Sequence, residues 1–236
     1  NVDALTIDED GNVGIGTDDP QDLLEVRAAD GVTGVIRVQG GKNAVTSIGE
    51  TNSRLDFGSN DNSVASPFIG GRIASVTEAT NGSRTGLGFS TYLQSRPGAD
   101  LMEFMRIDNL GNVGIGTDSP EAKLHVKSAS AGSFTYDTTA DDLIVESNAN
   151  GGITIATAAA NTGRIIFASP DDATGSEISF NQASTLMKLG TTTGSGILAL
   201  QSGNGSEAMR INSSGNVGIG TTSFLNAANI QMSTGS

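Results

Sequence analysis

His125 is the only histidine of the chain, and there is no cysteine. Thiol–histidine catalysis and multi-histidine metal sites are thereby excluded, because each needs a second group of those types. A Ser-His-Asp arrangement is compatible with the composition. His125 stands between Leu124 and Val126, however, and Glu25 occupies the matching position of an earlier, similar segment. The alternation predicts an outward strand position and no catalytic role. Asp8, Asp10 and Asn12 offer oxygens that could approach a calcium ion. The matching residues are Asp108, Leu110 and Asn112, then Asn212, Ser214 and Asn216, so the charge fades along the series. A hydrated turn is expected, with a weak calcium site in the first copy as the alternative. Asp141-Asp142 and Asp171-Asp172 read as solvated loop pairs. Gly14-Ile15-Gly16 begins like a dinucleotide fingerprint, but the third glycine position holds Asp19, Ser119 or Ser223 and no long helix follows. Gly41-Lys42-Asn43 lacks the phosphate-loop spacing. No catalytic residue, cofactor or metal is expected.

Paired carboxylates could hydrolyse a glycan. Sugar platforms need aromatic rings, and the chain has no Trp and only two tyrosines, Tyr92 and Tyr136. Phe89, Tyr92 and Phe104 are expected in an assembly core, with an exposed receptor patch as the alternative. Arg106 and Arg210 follow Glu103 and Glu207 by three residues; an interchain ion pair and a plain surface charge are equal expectations.

What positions these residues is a repeat. Gly11-Asn12-Val13-Gly14-Ile15-Gly16-Thr17 recurs unchanged at 111–117 and 215–221. Ile7, Ile107 and Ile211 each precede the motif by four residues. Downstream, Pro20, Leu24 and Val26 match Pro120, Leu124 and Val126; in the third copy Phe224, Ala228 and Ile230 stand at the same offsets. Residues 1–17 are read as the end of a preceding repeat, 18–117 and 118–221 as two full units, and 222–236 as the start of a third unit or a tail. Asn1 already lies at the edge of a strand-like pattern, so a processed chain or a fragment is expected.

Each motif reads as a hairpin. Met105 and Ile107 alternate with Phe104 and Arg106, Asp108–Asn112 supplies turn residues, and Val113-Gly114-Ile115-Gly116 returns. Gly11, Gly111 and Gly215 fall in the turn. Gly14, Gly16, Gly114, Gly116, Gly218 and Gly220 fall in or just after the return strand, where Gly costs roughly 0.5–1 kcal/mol relative to Ala. Their recurrence predicts a backbone in close approach, from the same chain or a symmetry-related one. Val113 and Ile115 are expected to face a shared interior. Pro120 is expected to open one helical turn before Leu124. The loops 60–66 and 78–84 are expected to be polar, exposed and the place for any recognition.

Composition sets the class. Gly accounts for 32 of 236 residues and aromatics for 4%, which disfavours long helices and a bulky single-chain core. Short β-strands are expected throughout. The net charge of −13 disfavours phosphate backbones and anionic lipid. No run of 18 apolar residues provides a membrane span. The absence of Cys names no compartment.

The segment Met209-Arg210-Ile211-Asn212-Ser213-Ser214-Gly215-Asn216-Val217-Gly218-Ile219-Gly220-Thr221, with its two relatives, resembles the shaft repeats of bacteriophage tail fibres and tail spikes, which often precede an endosialidase-type intramolecular chaperone. The resemblance covers the repeat cores well and the intervening loops poorly. It implies an all-β, elongated, parallel homotrimer in an extracellular virion appendage. Its implied partners are itself, other fibre or tail proteins, and a host-cell glycan as a further candidate. A C-terminal chaperone, which the resemblance would place downstream, is not seen before Ser236. Similar repeats in bacterial surface proteins make an adhesin or filament subunit the alternative, and a glycan-cleaving spike is the third reading.

Overall fold

The computed structural model describes residues 4–29, 31–40, 47–58, 69–93, 101–133, 135–224 and 230–232. The described chain is all-β, in short strands with no helix. It divides into two compact units, Asn1–Gly152 and Ile153–Ser236. Among the described residues, no helix is long and apolar enough to cross a membrane.

The first unit holds two sheets. In the smaller, β1 (Thr6–Ile7), β2 (Val13–Ile15) and β3 (Leu24–Val26) lie in that order. In the larger, seven strands lie in sequence order: β4 (Thr51–Gly58), β5 (Ile69–Thr77), β6 (Thr85–Tyr92), β7 (Leu101–Ile107), β8 (Val113–Ile115), β9 (Leu124–Lys127) and β10 (Leu143–Glu146). β4 to β8 form an antiparallel meander, each strand pairing with the next in sequence. β8, β9 and β10 then run parallel. The second unit holds β11 (Thr162–Ser169), β12 (Asp172–Asn181) and β13 (Leu186–Thr191) as an antiparallel meander. Beside them in sequence, β14 (Leu198–Ser202), β15 (Ser206–Ile211), β16 (Val217–Ile219) and β17 (Ile230–Met232) form a four-stranded sheet.

Two expectations are corrected here. Pro120 opens no helical turn; residues 116–123 are a series of bends returning the chain from β8 to a parallel β9. In the third copy, Val217 pairs with Ile230 as Val113 pairs with Leu124, so Ile230 and Met232 stand at the Leu and Val positions. The connection is two residues longer there, which a constant offset misses.

Register sorts the side chains by face. Leu55, Ile73, Phe89, Met105, Ile115, Val126 and Val145 are successive cross-strand partners, an apolar row across all seven strands of the larger sheet. Leu87, Ile107, Val113, Leu124 and Leu143 form the adjacent row. In the second unit Ile165, Ile178 and Leu189 form a row, as do Leu200, Met209, Ile219 and Met232. These faces are open: Leu55, Ile115, Val145, Ile165, Leu189, Leu200 and Met232 are all exposed. The opposite face of the seven-stranded sheet is the covered one. It carries Ala74, Val76, Arg106, His125, Ile144 and Glu146, all buried. Among the described residues, the buried apolar side chains are Pro20, Ala74, Val76, Ala79, Ala122 and Ile144, every one in the first unit.

Candidate functional site: the repeated hairpin and its charged neighbours

The hairpin turn is the same three times. Asp108 donates its amide to the Asn112 carbonyl (2.9 Å) and accepts from the Gly111 amide (3.1 Å). Its Oδ1 accepts the Leu110 and Asn112 amides, both at 2.8 Å. Asp8 and Asn212 repeat this pattern with residues 10–12 and 214–216. Gly111 takes a φ of +81°, which completes a three-residue loop with a bulge. Asp8 Oδ2 additionally accepts from Asn12 Nδ2 at 3.0 Å, so both oxygens of the calcium candidate serve the turn. Among the described residues, no group of three or more His, Asp or Glu could hold a metal ion.

The return strand turns its glycine inward. Gly14, Gly114 and Gly218 are buried, while Ile15, Ile115 and Ile219 on the other face are 43, 42 and 38% exposed. What approaches the glycine is the chain itself. A methyl at Gly14 would lie 2.5 Å from the Thr17 carbonyl oxygen, and at Gly218 2.6 Å from that of Thr221. At Gly114 it would collide with the Thr117 carbonyl. Gly116 combines a φ of +77° with the Lys127 carbonyl, against which a methyl would collide. The strand is thus sealed on its glycine side by its own loop and left open on its isoleucine side.

A β-bulge explains the spacing of the charged pair. Strict alternation puts residues three apart on opposite faces. Phe89 pairs with Met105 but Ser90 with Glu103, so Phe104 is the extra residue and Glu103 and Arg106 share a face. Arg106 Nε and Nη2 reach Glu103 at 2.6 and 2.9 Å. Ala208 is the extra residue between β14 and β15, and Arg210 there meets Glu207. The bulged residues do a second job: the Gly116 amide donates to Phe104 and the Gly220 amide to Ala208. Both pairs are intrachain, within one strand. Arg106 is buried, at 7% side-chain exposure, and Glu78 Oε1 lies 4.0 Å away. Burial opposes its charge, but the Glu103 carboxylate holds the guanidinium above its ordinary pKa.

His125 corrects the sequence reading. It points inward, beside Gly114, and is 1% exposed. The Glu121 amide donates to Nδ1 at 3.4 Å, which leaves Nε2 as the protonated nitrogen facing Glu146 Oε2 at 3.0 Å. Glu146 also accepts from Lys127 Nζ (3.0 Å) and the Ala131 amide (2.7 Å). Tyr136 packs edge-on against the imidazole, with centroids 5.9 Å apart. The group clasps β10, Ala131 and Tyr136 onto β9, with every polar atom of the imidazole engaged. In the first copy Glu25 Oε2 accepts the Gln21 amide at 2.8 Å, so this position holds an acceptor for the residue after proline in both copies. That shared acceptor property of Glu25 and His125 was the available signal.

The Ala131 amide first, then Lys127 and His125, hold the Glu146 carboxyl at about 2 against the opposing effect of burial. A depressed carboxyl stabilises the fold above its ordinary value of 4.5, and that contribution disappears as pH falls toward 2. The difference in thermal midpoint between wild type and Glu146→Gln is therefore expected to be largest above pH 5 and to shrink steadily below 4.5. A difference constant from pH 7 to 2.5 would contradict the clasp.

The remaining candidates do not converge. The loop 78–84 is only partly as expected: Ala79 is buried and Glu78 turns inward, with Oε2 accepting the Asn109 amide at 2.7 Å. Asp172 Oδ1 accepts the Thr174 amide at 3.0 Å, and the Asp142 carbonyl accepts the Leu124 amide at 2.9 Å. Phe89 faces Met105 and Tyr92 faces Leu101 across β6 and β7; among the described residues no ring contact joins Phe89, Tyr92 and Phe104. Residues 41–43 and 60–66 lie outside the described residues. A cavity of about 390 Å³ is bounded by Glu103, Arg106, Thr117, Asp118 and Lys127. It is open and of mixed charge.

No protein-family model matches the chain, and no curated protein matches it. Among solved structures, it is similar to the carboxy-terminal domain of the bacteriophage T5 L-shaped tail fibre with its intramolecular chaperone domain, at a TM-score of 0.44 and 11% identity. That similarity covers 85% of this chain and 62% of the other, so this chain spans less than two thirds of that structure's length. It is also similar to the carboxy-terminal domain of the T5 L-shaped tail fibre alone, at a TM-score of 0.37 and 10% identity, covering 85% of this chain and 91% of the other. Both values are too low to assign the chain to a family.

Proposed function

We propose that the chain is a structural shaft segment of an extracellular viral fibre, self-associating as a parallel homotrimer and performing no catalysis. The supporting observation is an inverted burial pattern. In the seven-stranded sheet the polar, glycine-bearing face is covered and the apolar face is open, and the second unit has no buried apolar side chain among its described residues. Leaving a Val, Leu, Ile, Phe or Met side chain exposed forgoes roughly 1.5–3 kcal/mol. Rows such as Leu55 to Val145 therefore call for a partner with a matching row, and identical copies supply one. The virion setting rests on the Gly-Asn-Val-Gly-Ile-Gly-Thr repeats and their resemblance to tail-fibre shafts. Other fibre or tail proteins would join its ends, and a host glycan would be met through loops.

The test is location. Antibody raised against residues 78–84 is expected to decorate the tail appendages of purified particles in electron microscopy. Labelling of a bacterial envelope in place of particles would favour the adhesin reading, and release of reducing ends from host polysaccharide would overturn the non-enzymatic one.

A further inference from the structure

The smaller sheet ends at β3, whereas its counterpart β9 is covered by a further parallel strand, β10. The Leu23 carbonyl and the Arg27 amide bond to β2. By ladder alternation the amides and carbonyls of Leu24, Val26 and Ala28 therefore point to the open edge. At the matching positions of the second copy, the Leu124 and Ser128 amides donate to the Asp142 and Glu146 carbonyls at 2.9 and 3.0 Å. An edge left open in this way recruits another strand. Residues 33–40 carry no strand pairing, and Ile36 and Val38 among them are 72 and 53% exposed. The chain has already turned back toward β3 there. The Val32 amide donates to the Ala29 carbonyl at 3.0 Å, Gly31 takes a φ of +80°, and a methyl at Gly34 would rest 3.7 Å from Ala28 Cβ.

We propose that residues 34–38 are a strap that closes antiparallel onto the free edge of β3 in the same chain. The contact between Gly34 and Ala28 sets the register: continuing from it, Ile36 meets Val26, Arg37 meets Glu25 and Val38 meets Leu24. Three features of β3 agree with that register. Ala28, Val26 and Leu24 are the residues whose backbone faces the edge, so each forms a hydrogen-bonded pair with its partner. Ile36 extends the apolar row Ile15–Val26, and Val38 extends Ile7–Val13–Leu24. Arg37 comes beside Glu25, an opposite-charge cross-strand pair. Residues 29–33 are a hairpin connection of ordinary length. A parallel addition would first require the segment to run back along the whole of β3. A strand from a second copy would have to displace one already tethered at the edge. At the far end Gly40 lies against the Asn52 carbonyl of β4, a contact of bare backbone that closure releases. Closed, the strap removes the β3 edge as a place where other copies could add a strand. The inference concerns a single chain and stands apart from the self-associating reading above.

The absence of native cysteine makes the test clean. The double variant Val26→Cys with Ile36→Cys is oxidised mildly and run under denaturing, non-reducing conditions. Leu24→Cys with Ile36→Cys reports the parallel register, and Leu55→Cys with Ile73→Cys, antiparallel partners within one chain, is the geometric control. The expected result is a 26–36 disulfide within single chains, identified in peptide mass spectra, and little or no 24–36 bond. In the chain without cysteines, the amides of Leu24 and Val26 are expected to exchange slowly with deuterium. Ile36→Pro, which removes a ladder donor, should abolish that protection. A 26–36 bond between chains, a preference for 24–36, or no 26–36 bond while the control closes overturns the proposal, as does fast exchange at Val26. Sedimentation of the reduced protein keeps the two readings apart: a trimer lacking the 26–36 bond removes only the strap, and a monomer that forms it removes only self-association.

Discussion

Replacing Gly116 with Asn is expected to lower stability by about 3–4 kcal/mol, whereas Gly111→Asn changes it by less than about 1 kcal/mol. Both glycines have positive φ, +77° and +81°. Asn tolerates that conformation better than other non-glycine residues, so backbone strain alone predicts similar, small effects. The difference is space. Nothing lies within 4 Å of a methyl at Gly111, while at Gly116 it would collide with the Lys127 carbonyl. The collision is with backbone held in the β8–β9–β10 ladder, so it is relieved only by opening the parallel strands; overpacking of this kind costs roughly 1–3 kcal/mol beyond the strain. Thermal midpoints of the two variants, measured side by side, check this. Equal midpoints would mean that the close approach does not exist in the assembled protein.

The second large effect is at Arg106. Arg106→Met should cost about 2–3 kcal/mol, because it leaves Glu103 and the largely buried Glu78 as uncompensated carboxylates in a covered face. The full penalty of a broken buried pair is not reached, since Glu103 stays 24% exposed and can rehydrate. Arg210→Met removes the equivalent pair in the third copy, where both side chains are 21% exposed, and should be much milder. The readout is the shift in denaturation midpoint of the two variants against wild type. Equal shifts would show that burial does not distinguish the two copies.

The parts of this fold legible in the sequence are those decided locally. Asp108–Gly111 carries its own turn chemistry, and the alternation around Met105 and Ile107 is visible in seven residues, so the β-hairpins and short strands could be read directly. What escaped depends on partners distant in sequence. His125 is buried because Glu146, 21 residues later, accepts its proton-bearing nitrogen. The shared face of Glu103 and Arg106 depends on how β7 registers against β6, although a recurrent charge pair spaced by three is itself a hint of a bulge. The third copy was misaligned because the chain between Phe224 and Ile230 is longer, and spacing says nothing about which residue reaches the ladder. Which side of the Val-Gly-Ile strand the chain itself would seal could not be read, since Thr117 does so only once its loop has folded back.

The central claim is that the open apolar rows are covered by identical copies. Sedimentation equilibrium of the soluble chain at micromolar concentration tests it most directly. The account predicts a single species of about three times the chain mass of 23.9 kDa, persisting on dilution because each row from Leu55 to Val145 is buried in the assembly. A stable, cooperatively folded species at one chain mass would contradict it.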